Sequence, residues 1–282
     1  MCSEWTPGWP SRDILSRKTQ AQHALTIIES CGIGPASARK TLFLSDYSKA
    51  NLDTAATSLR NDGRVVQTRR IDVLDYSSVL KIASAAVQVV NLETIVRTAG
   101  LSPAMAPADR ILKVDLLGTV NAIDAFRDHI APGGSMICIA SMARFGVQPS
   151  SDLAAHFATG GRDMILERPE LKELAEKNDP ATTYLLSKAA NYLRVQAASR
   201  VWAEKGARIN IVGPGVILTT MEPMVRQELE SPRGETVKQI IAGTPLQRGG
   251  TTDEIASAVA FLSGNEASYV TGTDILVDGG YC

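Results

Sequence analysis

The run Ser135-Met136-Ile137-Cys138-Ile139-Ala140-Ser141 is almost wholly apolar and ends on a hydroxyl group. Its length and continuous apolar character are typical of a strand that is buried on both faces of a sheet. A helix is predicted before it at Ala108–His129, ended by Pro132-Gly133-Gly134, and a shorter apolar run at Leu92–Val96 precedes that helix. A strand, a helix and a strand in this order are typical of a parallel β-α-β unit.

The same alternation of apolar runs and helical periodicity continues on both sides of this unit. It predicts an α/β fold: one Rossmann-like, doubly wound domain with a central, mostly parallel seven-stranded sheet. Further strands are predicted at Ala24–Ile28, Thr41–Ser45, within Arg64–Val73, at Arg208–Val212 and at Ile275–Val277. Further helices are predicted at Lys49–Arg60, Ser77–Val89, Pro169–Lys177 and Thr182–Glu204, and from Thr252 onward.

The composition narrows the class of protein. The chain has 282 residues, is 44% hydrophobic and 21% charged, and carries a net charge of -1, so no general attraction to nucleic acid or to an anionic membrane is expected. No apolar run is long enough to cross a membrane. The four cysteines lack metal-like spacing and are interpreted as free thiols in a reducing compartment, which favours a cytoplasmic location and no metal site.

Tyr184 and Lys188 lie four residues apart in the strongest predicted helix, so both side chains should share one helix face. An ammonium beside a phenol favours the phenolate, which would allow Tyr184 to act as an acid or a base. This pair alone has a simpler interpretation, an amphipathic helix with one aromatic residue and one solvated lysine. The motifs elsewhere in the chain favour the catalytic interpretation.

These motifs occur in a fixed order over roughly Ala24 to Gly280, and the chain resembles a short-chain dehydrogenase/reductase. The residues that carry the resemblance are Gly32-Ile33-Gly34, Asp72-Val73, Thr98-Ala99-Gly100, Ser141 with Tyr184 and Lys188, Asn210 with Pro214-Gly215 and Thr219, Pro245 to Gly249, Ala260-Phe261-Leu262, Tyr269 to Gly272, and Val277-Asp278-Gly279-Gly280. The long segment between Ser141 and Tyr184 is similar to the subgroup that contains bacterial 3α-hydroxysteroid dehydrogenase/carbonyl reductase. The resemblance implies residues 1–22 as an irregular extension and 23–282 as the domain, with an insertion at 142–180 and a substrate loop at 216–247.

The resemblance also implies a dinucleotide site. A glycine-rich turn lets backbone N–H groups approach a pyrophosphate, and Asp46 at the end of the second strand would accept hydrogen bonds from the adenosine ribose, which favours NAD(H). Arg39 and Lys40 leave NADP(H) possible, and a helix cap is the simpler role for Asp46. The implied cofactor-binding residues are Gly32, Ile33, Gly34, Asp46, Asp72, Val73, Ala99, Gly100, Tyr184, Lys188, Pro214, Gly215, Ile217 and Thr219.

By the same resemblance, the implied reaction is hydride transfer between a nicotinamide and a carbinol or carbonyl carbon. Tyr184 would be the general acid/base, Ser141 would hydrogen-bond the reacting oxygen, and Lys188 would assist Tyr184. Asp115 stands where the family has a catalytic asparagine, and its negative charge would offset part of the effect of Lys188. The expected substrate is an apolar, cyclic alcohol or ketone, steroid-like or polycyclic, because the two segments beside the site carry apolar residues: Met221, Met224, Val225, Phe145, Val147 and Leu153. An ordinary place in the core or in an interface is an equally open interpretation of these six residues. Homodimers or homotetramers are usual in the family.

Two features depart from the family pattern at the cofactor turn. Ile27 and Ile28 stand where the turn normally opens with threonine and glycine, and only Pro35 to Lys40 separate Gly34 from the second strand. A crossover helix averages about 11 residues, so the first one is predicted to be shortened. Two alternatives stay open at this point: an enzyme of the same fold with non-redox chemistry (isomerase, dehydratase or cyclase), and a non-catalytic ligand-binding subunit.

Overall fold

The computed structural model describes residues 25–28, 41–61, 63–89, 91–218 and 234–282. The strands in these ranges are β1 (Leu25–Ile28), β2 (Thr41–Asp46), β3 (Val65–Arg70), β4 (Thr94–Arg97), β5 (Ser135–Ile139), β6 (Arg208–Pro214), β7 (Ile217–Leu218), β8 (Gly250–Thr251) and β9 (Asp274–Val277). The helices are α1 (Lys49–Asn61), α2 (Tyr76–Val87), α3 (Ala108–Ile111), α4 (Gly118–Arg127), α5 (Ser151–Thr159), α6 (Pro169–Lys177), α7 (Pro180–Ala203), α8 (Gly234–Gly243) and α9 (Thr252–Ser263).

The main sheet has the strand order β3-β2-β1-β4-β5-β6-β9, and β7 and β8 form a separate two-stranded sheet. Parallel pairs join β2 to β3, β4 to β5, β5 to β6 and β6 to β9. Helices connect most of these strands, so the predicted α/β fold with a mostly parallel sheet is confirmed. Because β4, β5, β6 and β9 run in one direction, the residues after their carboxyl ends meet at one edge of the main sheet.

The first strand runs differently from the family pattern. β1 is antiparallel to both β2 and β4, and Ile28 lies opposite Leu42 and Thr94, at the amino ends of its neighbours. A parallel β-α-β crossover needs a dozen or more residues and usually a helix, whereas antiparallel strands need only a short connection between adjacent ends. The connection between Ile28 and Thr41 has 12 residues, the lower limit for a parallel crossover, and in the antiparallel pairing it joins two adjacent strand ends. The predicted shortened crossover helix lies outside the described residues.

Two apolar layers cover the sheet. On one face, Phe43, Ile95, Phe126 and Trp202 belong to a cluster that joins the sheet to α2, α4 and α7. On the other face, buried side chains from β2, β3, β4, β5 and β6 meet α1 and α9. Alternate residues of β2 enter opposite clusters, as the two-residue period of a strand requires. Burial on both sides explains why the strands are nearly continuous apolar runs.

A π-helical turn, Leu112–Leu117, connects α3 to α4. Such a turn carries one extra residue and is frequent at functional sites. Gly118 follows it and packs against Val73 so closely that a Cβ atom would come within 2.9 Å of the valine Cγ2. The helix predicted at Ala108–His129 is therefore present, but it is interrupted at the position of Asp115.

The insertion at 142–180 is more regular than the sequence predicts. The helix α6 matches the prediction, but α5 lies in a part that the sequence analysis leaves irregular. Leu153 and Phe157 of α5 are 4% and 0% exposed and pack with α7 and the π-helical turn. The buried position of Leu153 contradicts its predicted role as a substrate contact, because the side chain fills the interior between the insertion and α7.

Candidate functional site

The residues that follow β4, β5 and β6 gather at the carboxyl edge of the sheet. Ala99 and Gly100 follow β4, Ser141 follows β5, and Gly215 follows Pro214, the last residue of β6. The helix α7 crosses this edge and packs against β6, the π-helical turn and the turn after Ser141. The fold thus places Tyr184 and Lys188, both on α7, next to the ends of these strands.

A buried ion pair lies at the centre of this edge. Lys188 Nζ is 2.8 Å from Asp115 Oδ2, and the two side chains are 5% and 0% exposed. The other carboxylate oxygen, Oδ1, accepts a hydrogen bond of 2.7 Å from the backbone N–H of Leu101. A Cβ atom on Gly100 would come within 3.3 Å of Lys188 Nζ, so the loop after β4 closes directly over the pair. Asp115 is therefore held on both oxygens, and it fixes the lysine.

Tyr184 is held beside this lysine. The ammonium of Lys188 lies 5.0 Å from the centre of the Tyr184 ring, which is the distance of a cation–π contact. The helix that carries both residues begins at Pro180, and the Asp179 carboxylate accepts the Thr182 N–H at 3.0 Å to cap it. The cap and Pro180 in the first turn are strong helix-start signals, which explains why the sequence locates this helix well.

Ser141 opens the 3₁₀ turn Met142–Gly146, and its hydroxyl oxygen accepts a hydrogen bond from the Ala143 N–H at 3.1 Å. This local role is the simpler interpretation of a hydroxyl at the end of a strand. It does not exclude a second contact, because the hydroxyl keeps its own proton for donation. The turn lies against α7, since a Cβ on Gly146 would meet the Leu185 side chain at 3.0 Å.

Arg144 anchors this turn to the sheet. Its Nε donates to Asp274 Oδ2 at 2.6 Å, and the two side chains are 17% and 1% exposed. The guanidinium also lies 3.8 Å from the ring centre of Phe145 and 4.1 Å from that of Tyr192. Burial raises the pKa of the Asp274 carboxyl above its usual value, and the attraction of Arg144 opposes this only in part.

A cavity of about 180 Å³ lies near the ion pair of Lys188 and Asp115, on the side of β2 and β3. Its lining is largely apolar, with one acidic and one basic side chain: Tyr47, Ile71, Asp72, Val73, Ala99, Leu101, Arg110 and Val114. A largely apolar cavity with few polar groups is typical of a site for a small organic ligand. Of the implied cofactor residues, the cavity brings together Asp72, Val73 and Ala99.

Asp46 ends β2 next to this cavity and is 1% exposed. Its Oδ1 accepts the Ser48 N–H at 2.6 Å, so it orders the chain just before α1. Asp72 has a comparable local contact, since its Oδ1 accepts the Leu74 N–H at 3.0 Å. Both carboxylates thus have a local structural role at the end of a strand.

The segment after β6 is fixed by the C-terminal region. Asn210 donates through Nδ2 to the Val270 carbonyl at 2.9 Å and accepts the Thr273 N–H at 3.2 Å. The Gly215 N–H donates to the Val277 carbonyl at 3.0 Å, and a Cβ at this position would meet the Asp278 Cα at 2.7 Å. Ile217 pairs with Gly250 in the small sheet. The C-terminal motifs therefore hold Pro214 and Gly215 in place.

Several implied site residues lie outside the described residues: Gly32, Ile33, Gly34 and Thr219, as well as Met221, Met224 and Val225. In contrast, three contacts of the site were missed by sequence reasoning. Arg97 donates to the Val114 carbonyl of the π-helical turn, and Arg144 donates to Asp274. Asn121 donates from α4 to the Val73 carbonyl at 2.8 Å. For Arg97, the sequence does hold a signal: a charged residue directly follows the apolar Ile95 and Val96 at the end of a buried strand.

Comparisons with known proteins agree with this architecture. Residues 173–282 match the family model described as enoyl-(acyl carrier protein) reductase. A short-chain dehydrogenase/reductase of Alternaria brassicicola, named bsc3, is 37% identical over 267 residues, which are 92% of this chain and 96% of that protein. A galactitol 2-dehydrogenase (L-tagatose-forming) of Cereibacter sphaeroides is 30% identical over 264 residues, 90% of this chain and 89% of that one.

A 3-alpha-hydroxysteroid dehydrogenase from Pseudomonas sp. B-0831, solved in complex with NADH, has a similar fold. The TM-score is 0.63 at 24% identity, over 79% of this chain and 89% of that one, and the likeness shows the fold alone. The relatives at 37% and 30% identity extend over nearly the whole chain. The chain therefore belongs to the short-chain dehydrogenase/reductase family, and it is an oxidoreductase that interconverts alcohols and ketones with NAD(P)(H).

Proposed function

We propose that this oxidoreductase acts on a secondary alcohol or ketone that is apolar and cyclic, with Tyr184 as the general acid/base. The observation that carries the proposal is the buried ammonium of Lys188, 5.0 Å from the Tyr184 ring and 2.8 Å from Asp115. A cation fixed beside a phenol stabilises the phenolate, so Tyr184 can exchange its proton with a substrate oxygen near neutral pH.

In the reductive direction, Tyr184 donates its phenolic proton to the carbonyl oxygen of the substrate. The Ser141 hydroxyl donates a hydrogen bond to the same oxygen and stabilises its developing negative charge. The Ser141 oxygen accepts the Ala143 N–H, so its rotation is already restricted before substrate binds. A bound nicotinamide supplies the hydride in this direction and takes it in the other.

The cofactor proposed is NAD(H), with NADP(H) as the alternative. The largely apolar cavity lined by Val73 and Ala99 would take an adenine. Asp46 precedes Tyr47 of the cavity lining at the end of β2, where a carboxylate favours ribose hydroxyls over a 2′-phosphate. Lys188 would bind the nicotinamide ribose, and Pro214 and Gly215 would lie beside the nicotinamide. Arg39 and Lys40, which keep NADP(H) open, lie outside the described residues.

The apolar substrate is supported by Phe145, which is 51% exposed on the turn that follows Ser141. Its ring is fixed by the guanidinium of Arg144 at 3.8 Å, so it offers a rigid apolar surface near the reacting oxygen. Relatives and neighbours act on different compounds, a sugar alcohol in one case and a hydroxysteroid in another, as their names state. Substrate class is therefore the part of the proposal that an assay must decide first.

The test is turnover of NADH or NADPH with a panel of steroid-like and polycyclic ketones, and of NAD⁺ with galactitol. Tyr184→Phe should lower kcat by about 10²- to 10⁴-fold while dinucleotide binding is kept. Tyr192→Phe is the matched control on the same helix, since its hydroxyl contacts only Gln196 among the residues described. Turnover of galactitol but of no cyclic ketone would refute the apolar substrate, and full activity of Tyr184→Phe would refute the acid/base role.

We further propose a homodimer or homotetramer in the cytoplasm, on the basis of the family resemblance and of the free thiols of Cys138 and Cys282 in the described part of the chain. Within the described ranges, no helix is both long and apolar enough to cross a membrane. Sedimentation of the purified protein at several concentrations would test the oligomeric state, and a monomer at all of them would refute it.

A further inference from the structure

Arg97 ends β4 and is 0% exposed, which makes it the only fully buried arginine among the described residues. Its Nη2 donates to the carbonyl of Val114 at 2.9 Å, the residue directly before Asp115 in the π-helical turn. Its Nε and Nη1 find no hydrogen-bond partner among the described residues. A buried guanidinium with two unpartnered nitrogen atoms is costly, so a compensating charge is expected nearby.

The charges around Arg97 supply that reason. Burial lowers the pKa of the Arg97 guanidinium, and both Cys138 and Asp115 oppose this shift. Burial also raises the pKa of the Cys138 thiol to about 12, so the thiol is neutral near pH 7. An arginine remains protonated in proteins. The negative charge that acts on Arg97 is therefore that of Asp115.

We propose that Arg97 is a positioning residue that compensates the charge of Asp115, so that Lys188 keeps its full effect on Tyr184. The proposal rests on the acid/base role of Tyr184 proposed above. A neutral asparagine at position 115 would leave Lys188 as the local charge, a net of +1. With Asp115 and Arg97 together, the net is again +1, because the two added charges cancel.

The other charged groups near the site do not change this balance. On the turn after Ser141, the charge of Arg144 is paired with Asp274 at 2.6 Å. In the neighbouring cavity, Asp72 and Arg110 carry opposite charges. Arg97 on β4, Asp115 on the π-helical turn and Lys188 on α7 are therefore the charges that decide the field at Tyr184. Without Arg97, the buried carboxylate would cancel the lysine.

The geometry adds a second effect in the same direction. Because Arg97 holds the Val114 carbonyl, it also fixes the turn on which Asp115 lies. A merely structural role would end there, and replacing Arg97 would then lower stability without moving the pH at which Tyr184 ionises. The charge role predicts a shift in that pH, which separates the two roles.

The experiment compares Arg97→Gln, Asp115→Asn and the double variant with the natural protein. Two readouts are used: the pH–rate profile of kcat, and the near-ultraviolet absorbance of the Tyr184 phenolate, obtained by subtracting the same variant with Tyr184→Phe. Asp115→Asn should move the ionisation to lower pH and Arg97→Gln to higher pH, each by about one unit, as expected for one charge at roughly 10 Å in an effective dielectric constant of about 20. The double variant should return close to the natural profile.

Arg97→Lys keeps the charge and should stay near the natural profile even where it loses stability. Arg60→Gln is the matched control, because Arg60 also donates to a backbone carbonyl, that of Val66 at 2.8 Å, but far from Tyr184 in the sequence and fold. An unshifted Arg97→Gln, or a double variant that follows Asp115→Asn alone, would overturn the charge compensation. The absorbance titration needs no substrate, so it separates failure of this inference from failure of the proposed reaction.

Discussion

The ion pair between Arg144 and Asp274 gives a prediction whose size and pH dependence follow from burial. Arg144→Leu removes the cation but leaves an Asp274 side chain that is only 1% exposed. Breaking a buried pair by removing one partner costs about 3–5 kcal/mol, because the remaining charge stays without compensation. For a chain of this size, 1 kcal/mol corresponds to roughly 2–4 °C in the unfolding midpoint, so we expect a loss of at least about 6 °C at neutral pH.

The sign of the pH dependence is set by the direction of the Asp274 shift. Burial holds the pKa of this carboxyl above its ordinary value, so the folded chain binds the proton more tightly than the unfolded chain. The contribution of Asp274 to stability is therefore largest while its carboxyl is protonated. This contribution falls as the pH rises from the ordinary carboxyl pKa towards the raised folded value. Because Arg144 opposes the rise, Arg144→Leu widens this window, and its cost should be small at low pH and largest at neutral pH.

Thermal unfolding followed by circular dichroism between acidic and neutral pH measures this difference. Arg127→Leu is the matched control: Arg127 pairs with Asp128 across side chains that are 40% and 50% exposed, and such pairs contribute about 0–1 kcal/mol. Arg144→Leu/Asp274→Asn should recover part of the loss, since no charge is then left buried. A cost of Arg144→Leu that does not vary with pH, or that equals the cost of Arg127→Leu, would refute the reasoning.

Three further predictions follow from single contacts. In a denaturant titration, Gly118→Ala should destabilise the protein by about 1–3 kcal/mol, because its Cβ would lie 2.9 Å from Val73 Cγ2. Gly161→Ala is the control and should be neutral or slightly stabilising, because a Cβ there would meet no atom within 4 Å and the φ of Gly161 is -61°. Phe157→Ala should lower stability by about 3–5 kcal/mol by the same measurement, since the ring is 0% exposed between the insertion and α7, and a loss below about 1 kcal/mol would contradict that packing. Cys138 should resist alkylation in the folded protein, because it is buried with a pKa raised to about 12, while the exposed Cys282 should be modified; peptide mass mapping would contradict this if Cys138 reacted first.

The alternation of apolar runs and helical segments was enough to predict most of the fold. β5 and α6 lie where the sequence places them, and α7 begins two residues before its predicted start at Thr182, because Asp179 and Pro180 extend its first turn. The helix α5 was missed because the segment that carries it was predicted to be irregular, with Leu153 expected to face substrate. A local pattern cannot tell an apolar side chain that faces a ligand from one that faces a neighbouring helix.

The candidate site was predicted less completely than the fold, and for a related reason. Lys188 and Tyr184 share a helix, so a spacing of four residues was sufficient to predict their proximity. The contact of Lys188 with Asp115 joins residues 73 positions apart in the chain, and the family resemblance supplied it. Neither periodicity nor resemblance pointed to Arg97 or Arg144, because the partners of each come from other elements of the fold.

The orientation of β1 bears on how the two halves of the site are built. In one half, Ser141 and Gly215 follow strands that run parallel and whose carboxyl ends meet at one edge, and α7 brings Tyr184 and Lys188 to that edge. In an antiparallel β1, the residue at that edge is Leu25, opposite Ser45 and Arg97, while Ile28 lies at the other edge. The amino-terminal end of β1, rather than its carboxyl-terminal end, is therefore the one that pairs with Arg97 at the carboxyl edge. A dinucleotide titration of Arg97→Gln would show whether this junction contributes to cofactor affinity: an unchanged Kd would confine Arg97 to the proton-transfer half of the site, and a weakened one would extend its role to the cofactor.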